Sequence, residues 1–402
     1  MNLLPHKSFG LELKNVSLIL YLFYGILIIT SFRLGTWIIF ALGYNLKGNS
    51  KNINSFPLIS LIVPAFNEEK TIENSIQSLL ELDYPNYEII MVDDGSTDKT
   101  FAQAKKFENS KLRLVHQKNQ GKANALNNGI KNSKGEIIVT VDADTILNKD
   151  SLRKIAARFA QNNNVGAVAG NVKVVPEKSL LNIIQGAEYT IGINLIRKAQ
   201  SMLGCVMIVP GPIAALKRDA IEKAGFFSDD TFAEDFDITM KILKQGYKVE
   251  YEDKAISYTD APKNIEDLMK QRRRWYRGLL QVLDKHRNLY FNVKHGFFGT
   301  FGVPNLWFDA ISPILNVALI LFALLAGLFG SASSSILGLA IIFLVQLVIG
   351  IFAVVLDPQP KLRDFLAIPL QIFYNVFLEG IKLMSFTEET INVFMKWEKP
   401  ER

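Results

Sequence analysis

Hydrophobic and polar positions divide the chain into three regimes. From Val16 to Tyr44 nearly every residue is apolar, and Arg33 is the single charge inside the run. A helix needs about 20 apolar residues to cross a bilayer, so this stretch predicts one crossing and is too short for two. It is too long for the core of a signal peptide, and no small-residue cleavage site follows it. A polar linker, Lys47 to Ser55, comes next. From Leu58 short β-rich runs alternate with amphipathic stretches: "LISLIVPAFN" reads as a buried strand, "EEKTIENSIQSLLEL" as a helix and "YEIIMVDD" as a strand. "STDKTFAQAKKFE", "LRLVHQ", "GKANALNNGIKNS" and "EIIVTVDAD" continue as helix, strand, helix and strand. Continuous apolar strands separated by helices predict an α/β fold with a mostly parallel sheet covered on both faces. Ligands of such sheets sit beyond the carboxyl ends of the strands, so the polar residues there are the candidates for chemistry.

After about His286 the chain turns amphipathic and aromatic ("NLYFNVKHGFFGTFGVPNLWF"), as expected of a segment at a membrane interface. Two apolar stretches, Asp309 to Gly330 and Ser334 to Leu356, are each long enough to span. A further stretch, Leu362 to Phe386, carries Asp364, Pro369, Glu379 and Lys382; a span and a helix lying flat both fit it. The expected organisation is therefore an N-terminal segment 1–54 with one membrane helix, an α/β domain 55–287, an interfacial segment 288–308 and a C-terminal membrane region 309–402. The last of these ends in the polar tail "KWEKPER".

Composition narrows the chemistry. With 49% hydrophobic and 21% charged residues the chain is neither a disordered tail nor a fibre. One cysteine, Cys205, and four histidines exclude a disulfide scaffold, a cysteine-based zinc site and an iron–sulfur cluster. A net charge of +6 suits anionic headgroups or phosphorylated substrates, and taken alone suits nucleic acid as well.

Five groups of residues stand where chemistry is expected. Asp93 and Asp94 close the second strand before Gly95 and Ser96, placed to hydrogen-bond a base or ribose. Asp142 and Asp144 close the fourth strand one residue apart and so point the same way. Two such carboxylates could hold Mg²⁺ or Mn²⁺ bridging to a diphosphate, or could merely cap a helix or form a turn. Lys122 opens a helix, where a phosphate would also be favoured; a solvated lysine is the plain alternative. Glu234 and Asp235, with Asp237 after them, open another helix; dipole preference alone explains acids there, and a general base is the functional reading. In "MKQRRRWYRG" Gln271, Arg274 and Trp275 share one helical face. Arginine suits diphosphate and an indole suits a sugar ring. Arg272, Arg273 and Arg277 would then rest on anionic lipid.

Each signal is weak alone, but their order is specific. Strand–DDGS, GKANALN, VDADT, AED and QRRRW in succession resemble the membrane-embedded family 2 glycosyltransferases. The likeness is to the processive branch that includes poly-N-acetylglucosamine, chitin, hyaluronan and cellulose synthases, and it runs from about Ile59 to Arg287. The resemblance implies a GT-A fold and an inverting β-glycosyl transfer from a UDP-sugar, UDP-N-acetylglucosamine first, that elongates and exports a polysaccharide. It assigns Asp93 and Asp94 to uridine, Lys122 to the nucleotide, and Asp142 and Asp144 to the nucleotide sugar and its Mg²⁺ or Mn²⁺. It makes Asp235, beside Glu234, the base, gives Gln271 and Arg274 the pyrophosphate, and makes Trp275 the acceptor platform. UDP-sugars are cytoplasmic, so the domain should face the cytoplasm from a multi-pass cell-membrane anchor. A second copy of the chain or a small membrane subunit would complete a passage that so few spans leave narrow.

Three departures concern the acceptor side and the anchor. Pro210 precedes Gly211 where the family has Ser or Thr, Ala233 replaces the Thr of a TED motif, and one N-terminal span stands where two are usual. Two other readings stay open: a single transfer to a membrane lipid, because QxxRW also occurs in ceramide glucosyltransferase-like proteins, and a catalytically silent nucleotide-sugar-binding scaffold. No nucleic-acid partner is expected, because the arginines cluster in one motif beside a membrane flank.

Overall fold

A computed structural model describes residues 6–47, 55–326 and 332–395. The linker 48–54, the break 327–331 and the tail 396–402 lie outside the described residues. The chain opens with one unbroken helix, α1 (His6–Leu46), of which Tyr21–Leu46 is long and apolar enough to cross a membrane. The α/β domain begins with β1 (Ile59–Ala65), α2 (Ile72–Leu80), β2 (Tyr87–Asp93), α3 (Thr100–Lys105), β3 (Leu112–His116), α4 (Lys122–Lys131) and β4 (Ile137–Thr140). It continues with β5 (Ile146–Leu147), α5 (Ser151–Gln161), β6 (Val165–Val174), α6 (Leu180–Glu188), α7 (Leu195–Met202) and β7 (Ala214–Lys217). Then come α8 (Arg218–Ala224), α9 (Glu234–Lys244), β8 (Lys248–Thr259) and α10 (Ile265–Lys285). Three long helices follow, α11 (Val303–Ala326), α12 (Ala332–Val355) and α13 (Leu362–Thr390). A π-helical turn, Phe298–Gly302, leads straight into α11, so this helix starts inside the segment expected to be interfacial.

One eight-stranded sheet, in the order β3-β2-β1-β4-β7-β6-β8-β5, forms the domain's spine. Alternation along β1 shows why both faces are covered: Leu61 and Val63 pack into one core and Ile62 into the other. β1 to β4 pair in parallel, as the alternating pattern predicts. The sheet is nevertheless mixed. β7 runs antiparallel to both β4 and β6, and β5 antiparallel to β8. β7 enters from the loop after α7 at the carboxyl end of β4, Ala214 pairing with Thr140. That reversal carries Gly211 to the end of the strand that also delivers Asp142.

The membrane helices join the domain through polar as well as apolar contacts. Trp37 and Ala41 of α1 pack with Leu195 and Ala199 of α7. Lys198 of α7 donates to Asn45 at the end of α1 (3.0 Å) and to the Leu356 carbonyl beyond α12. α13 meets the domain along its whole length. Just ahead of it Tyr258 donates to Gln359 (3.0 Å), at its middle Tyr374 donates to Glu188 (2.9 Å), and at its end Glu388 and Glu389 accept from Arg273 (2.6 Å) and Arg277 (2.7 Å).

These contacts correct one expectation. Arg272, Arg273 and Arg277 do not face lipid headgroups; each is held by a carboxylate of the protein itself. Arg272 is completely buried and donates from Nε (3.1 Å) and Nη2 (2.6 Å) to Glu188. A guanidinium cannot shed its charge, so burying it requires such a two-pronged partner. The partner lies 84 residues away in sequence, where no local pattern reveals it. Glu188→Ala should cost about 3–5 kcal/mol, because it strands a buried charge. Glu388→Ala, which opens a partly exposed pair, should cost about 1 kcal/mol or less. Thermal unfolding of the detergent-solubilised protein, followed by tryptophan fluorescence, checks both.

Candidate active site

The site forms at the carboxyl end of the sheet, where three strand ends and two helix starts converge. Asp94, just past β2, builds the first wall. Its carboxylate accepts from Gln117 Nε2 (2.7 Å) and from the backbone N–H groups of Gln120 (2.9 Å) and Gly121 (2.9 Å). This fixes the loop from which α4 starts. Gly95, at φ +75°, is required beside it, because a Cβ there would stand 2.7 Å from the Asn119 nitrogen. Asp93 takes His116 Nδ1 at 2.7 Å on one oxygen, while the other is buried without a hydrogen bond.

Lys122, the first residue of α4, is the centre of the charge arrangement. Its ammonium lies 2.8 Å from Asp142 and 3.0 Å from Glu234. Burial works against this cation, but Asp142 and Glu234 outweigh burial and hold its pKa well above the ordinary lysine range. Gly211 lies against the same group: a Cβ on it would stand 2.9 Å from Nζ and 3.2 Å from Asp142. Asp144 is 6% exposed in the turn after β4, where Thr145 donates to it at 3.4 Å.

Asp235, in the first turn of α9, accepts from its neighbour's N–H, Phe236, at 2.8 Å and from the Gly211 N–H at 3.4 Å. Burial, then Glu234, raises its carboxyl to about 6; Lys122, the Phe236 N–H and Arg274 pull the other way. A carboxylate in that range is tuned for proton abstraction near neutral pH. Asp237 does different work. His286 (2.8 Å), Lys241 (2.8 Å) and Lys285 (3.0 Å) surround it, tie α9 to α10, and hold it below the usual carboxylate range against the effect of burial.

On α10 the structure separates three residues that the sequence grouped. Arg274, unlike its neighbours 272, 273 and 277, forms no ion pair among the described residues, and its charge acts on Asp235. Trp275 is half-buried, with the Arg272 guanidinium over its ring (4.2 Å) and Tyr189 edge-on at 6.4 Å. Gln271 is buried, and its side-chain carbonyl accepts from Arg272. Lys122, Asp142, Glu234, Asp235 and Gly211 thus share one cluster, with Arg274 in range; Asp93 and Asp94 shape the adjoining loop. Among the described residues no three His, Cys, Asp or Glu side chains gather as a metal cage. Sequence reasoning missed Tyr189, which stands in a π-helical turn (Tyr189–Asn194) that no residue pattern announces.

Comparison with known proteins identifies the family and the fold. Residues 60–225 match the family described as glycosyl transferase family 2. The poly-beta-1,6-N-acetyl-D-glucosamine synthase of Staphylococcus epidermidis is 35% identical over 227 residues, 56% of this chain and 55% of that protein. The synthase of the same name from Staphylococcus aureus (strain COL) is 33% identical over 275 residues, 68% of this chain and 66% of that one. The chain therefore spans between about half and two thirds of these relatives' length. Among solved structures the mannosyltransferase PcManGT from Pyrobaculum calidifontis, in complex with GDP-Man and Mn²⁺, has a TM-score of 0.66 at 22% identity, covering 94% of this chain and 99% of that one. This likeness shows the fold: an α/β, GT-A-like domain with long apolar helices at both ends, as the sequence predicts, its sheet mixed rather than mostly parallel.

The environment of Asp235 generates a pH prediction. The group is a base only when ionised, so kcat/KM for transfer should fall below an apparent pKa of about 6. Glu234 raises that pKa, so Glu234→Gln should move the acid limb to lower pH; Lys122 lowers it, so Lys122→Met should move the limb to higher pH. Initial rates from pH 4.5 to 8 check the direction of both, and identical profiles would separate Asp235 from the rate.

Proposed function

The chain belongs to glycosyl transferase family 2, and on that premise we propose that it elongates a polysaccharide from a UDP-sugar, UDP-N-acetylglucosamine being the donor to test first. The observation that carries this reading is Asp235: a carboxylate tuned to about 6, beside the Gly211 loop, at the end of the sheet facing Arg274. Asp235 takes the proton of an acceptor hydroxyl as that oxygen attacks the anomeric carbon, and UDP departs on the opposite face with inversion. Lys122 and Arg274 offset the charge that grows on the departing diphosphate. Asp93, in the wall built by Asp94, offers an unpartnered buried oxygen for the base. Gln271 accepts from Arg272 beside it, and Trp275 with Tyr189 gives the acceptor an apolar aromatic wall.

Asp142 and Asp144 fit a hard divalent cation in one way. Both are oxygen ligands at a strand end, and with no third protein ligand gathered there the remaining ligands would be diphosphate oxygens and water, a usual arrangement for Mg²⁺. When bound, Mg²⁺ or Mn²⁺ would neutralise charge on the leaving group. Lys122 has to release Asp142 for this, and a donor diphosphate would supply its ammonium with a new partner.

We read α1, α11 and α12 as membrane spans, with α13 lying in the cytoplasmic interface. α13 is long and apolar enough to cross. Both its ends, however, are joined to the same α/β domain, through Gln359 just ahead of it and through Glu388 and Glu389, which a crossing helix could not satisfy. The domain then faces the cytoplasm, where UDP-sugars are. Polar side chains on α13, α1 and α11 support a route for the product. Lys382 lies over the Tyr276 ring (5.2 Å) and 2.7 Å from Glu379, while Arg33 is paired with Asp309 and donates to Asn305 (2.8 Å). Arg33 and Asp309 lie on the helices read as spans, and ionisable residues within such segments mark pathways more often than packing. A second copy or a small membrane subunit would complete the passage.

Incubating the purified protein with radiolabelled UDP-N-acetylglucosamine should give a long polymer. EDTA should abolish its formation, and Mn²⁺ or Mg²⁺ should restore it. A lipid-extractable monosaccharide would replace elongation by single transfer, and full activity in chelator would free Asp142 and Asp144 from any metal.

A further inference from the structure

Five Arg and Lys side chains are buried among the described residues: Arg158, Arg197, Lys198, Arg272 and Arg277. Four have carboxylate partners. Arg158 meets Glu252 (2.9 Å), Lys198 meets Asp253 (2.6 Å), Arg272 meets Glu188 (2.6 Å) and Arg277 meets Glu389 (2.7 Å). Arg197, on α7 and 8% exposed, forms no ion pair, and its Nη1 has no hydrogen-bond acceptor. Arginine stays charged whatever its surroundings, so an unsatisfied guanidinium in the interior is costly to keep. It is tolerated where a ligand completes it.

Its surroundings say which ligand. The π-helical turn Tyr189–Asn194 immediately precedes α7, and such turns concentrate at functional sites. Tyr189 within it stands edge-on to Trp275, so the turn lies beside the indole. The charges of Asp235 and the hydroxyls of Tyr189 and Tyr251 all act on Arg197. Tyr251 is fully buried, and its hydroxyl also lacks a partner. α7 itself packs on the membrane helix α1 through Leu195 and Ala199. Arg197 therefore lies within electrostatic range of Asp235 on the helix that packs against α1, whereas Lys122 lies between Asp142 and Glu234. Asp235 already supplies a negative charge within range, so what Nη1 lacks is a hydrogen-bond acceptor, which a neutral sugar offers through hydroxyl and acylamino oxygens.

We propose that Arg197 is an acceptor-binding residue, its guanidinium donating to oxygens of the sugar that rests on Trp275 and Tyr189 and so turning the reacting hydroxyl toward Asp235. This rests on the glycosyltransferase reading above. The Tyr189–Asn194 turn runs directly into α7 and so determines where that helix, and Arg197 on it, begins. Specificity for the acceptor then depends on α7, and recognition of the donor does not.

The test uses the full chain in detergent or nanodiscs with UDP-N-acetylglucosamine as donor and a β-1,6-linked N-acetylglucosamine tetrasaccharide as primer. Two rates are measured: elongation against primer concentration, and donor hydrolysis without primer. Arg197→Gln should raise the primer KM about tenfold, the loss of a charge-assisted hydrogen bond. Donor hydrolysis and the KM for the UDP-sugar should stay within about twofold. Arg197→Lys keeps the charge without the fork and should fall between, which preserves the test if the glutamine variant does not fold. An unchanged primer KM in both variants, or hydrolysis and elongation lost in parallel in both, would overturn the proposal. A wild-type protein inert toward every UDP-sugar would instead overturn the reading it rests on.

Discussion

The ammonium of Lys122 is the interaction on which the rest of the site depends. It stands between Asp142, at the end of β4, and Glu234, at the start of α9, which the chain separates by some ninety residues. Remove that charge and Asp142 and Glu234 would lose their shared ion-pair partner, leaving Arg274 as the cation that offsets Asp235 from α10. Lys122 also helps keep Asp235 near 6 against the pull of burial and of Glu234. The arrangement needs the space that only glycine leaves at position 211, and it reaches that position because β7 runs against β4.

A second set of charges fastens this cluster to the membrane. α10 carries four arginines on its middle turns, and three of them are spent on the protein's own carboxylates: Arg272 on Glu188, Arg273 on Glu388, Arg277 on Glu389. They bind α6 and α13 to α10 and so fix Trp275, which packs under the Arg272 guanidinium. Arg274 is left over, and its field falls on Asp235. One basic run thus serves two purposes, and which arginine serves which is decided by partners up to 116 residues away.

That division explains how much was legible in the sequence. Strand ends of an α/β sheet are predictable from alternation, so Asp93, Asp94, Asp142 and Asp144 were located by pattern alone, and Lys122 and Asp235 by the helix starts that follow. β7 was not, because a four-residue strand without a crossover helix leaves no periodic signal. The pairing of Glu188 with Arg272 depends on tertiary packing, and the i, i+3 rule saw only a basic face. α13 was undecided because spanning and interfacial helices overlap in composition, and it is long and apolar enough for either. Arg197 was invisible, since a lone arginine in an amphipathic stretch is ordinarily solvated.

The most direct measurement is on Asp235→Asn. The substitution keeps the shape of the group and removes its basicity, leaving the contacts of Lys122 with Asp142 and Glu234 in place. Titration calorimetry of UDP and initial rates of sugar transfer are to be recorded on the same preparation. A base role for Asp235 predicts UDP affinity close to wild type and transfer slower by about 10²–10⁴-fold. Transfer near the wild-type rate, with UDP bound as before, would contradict it.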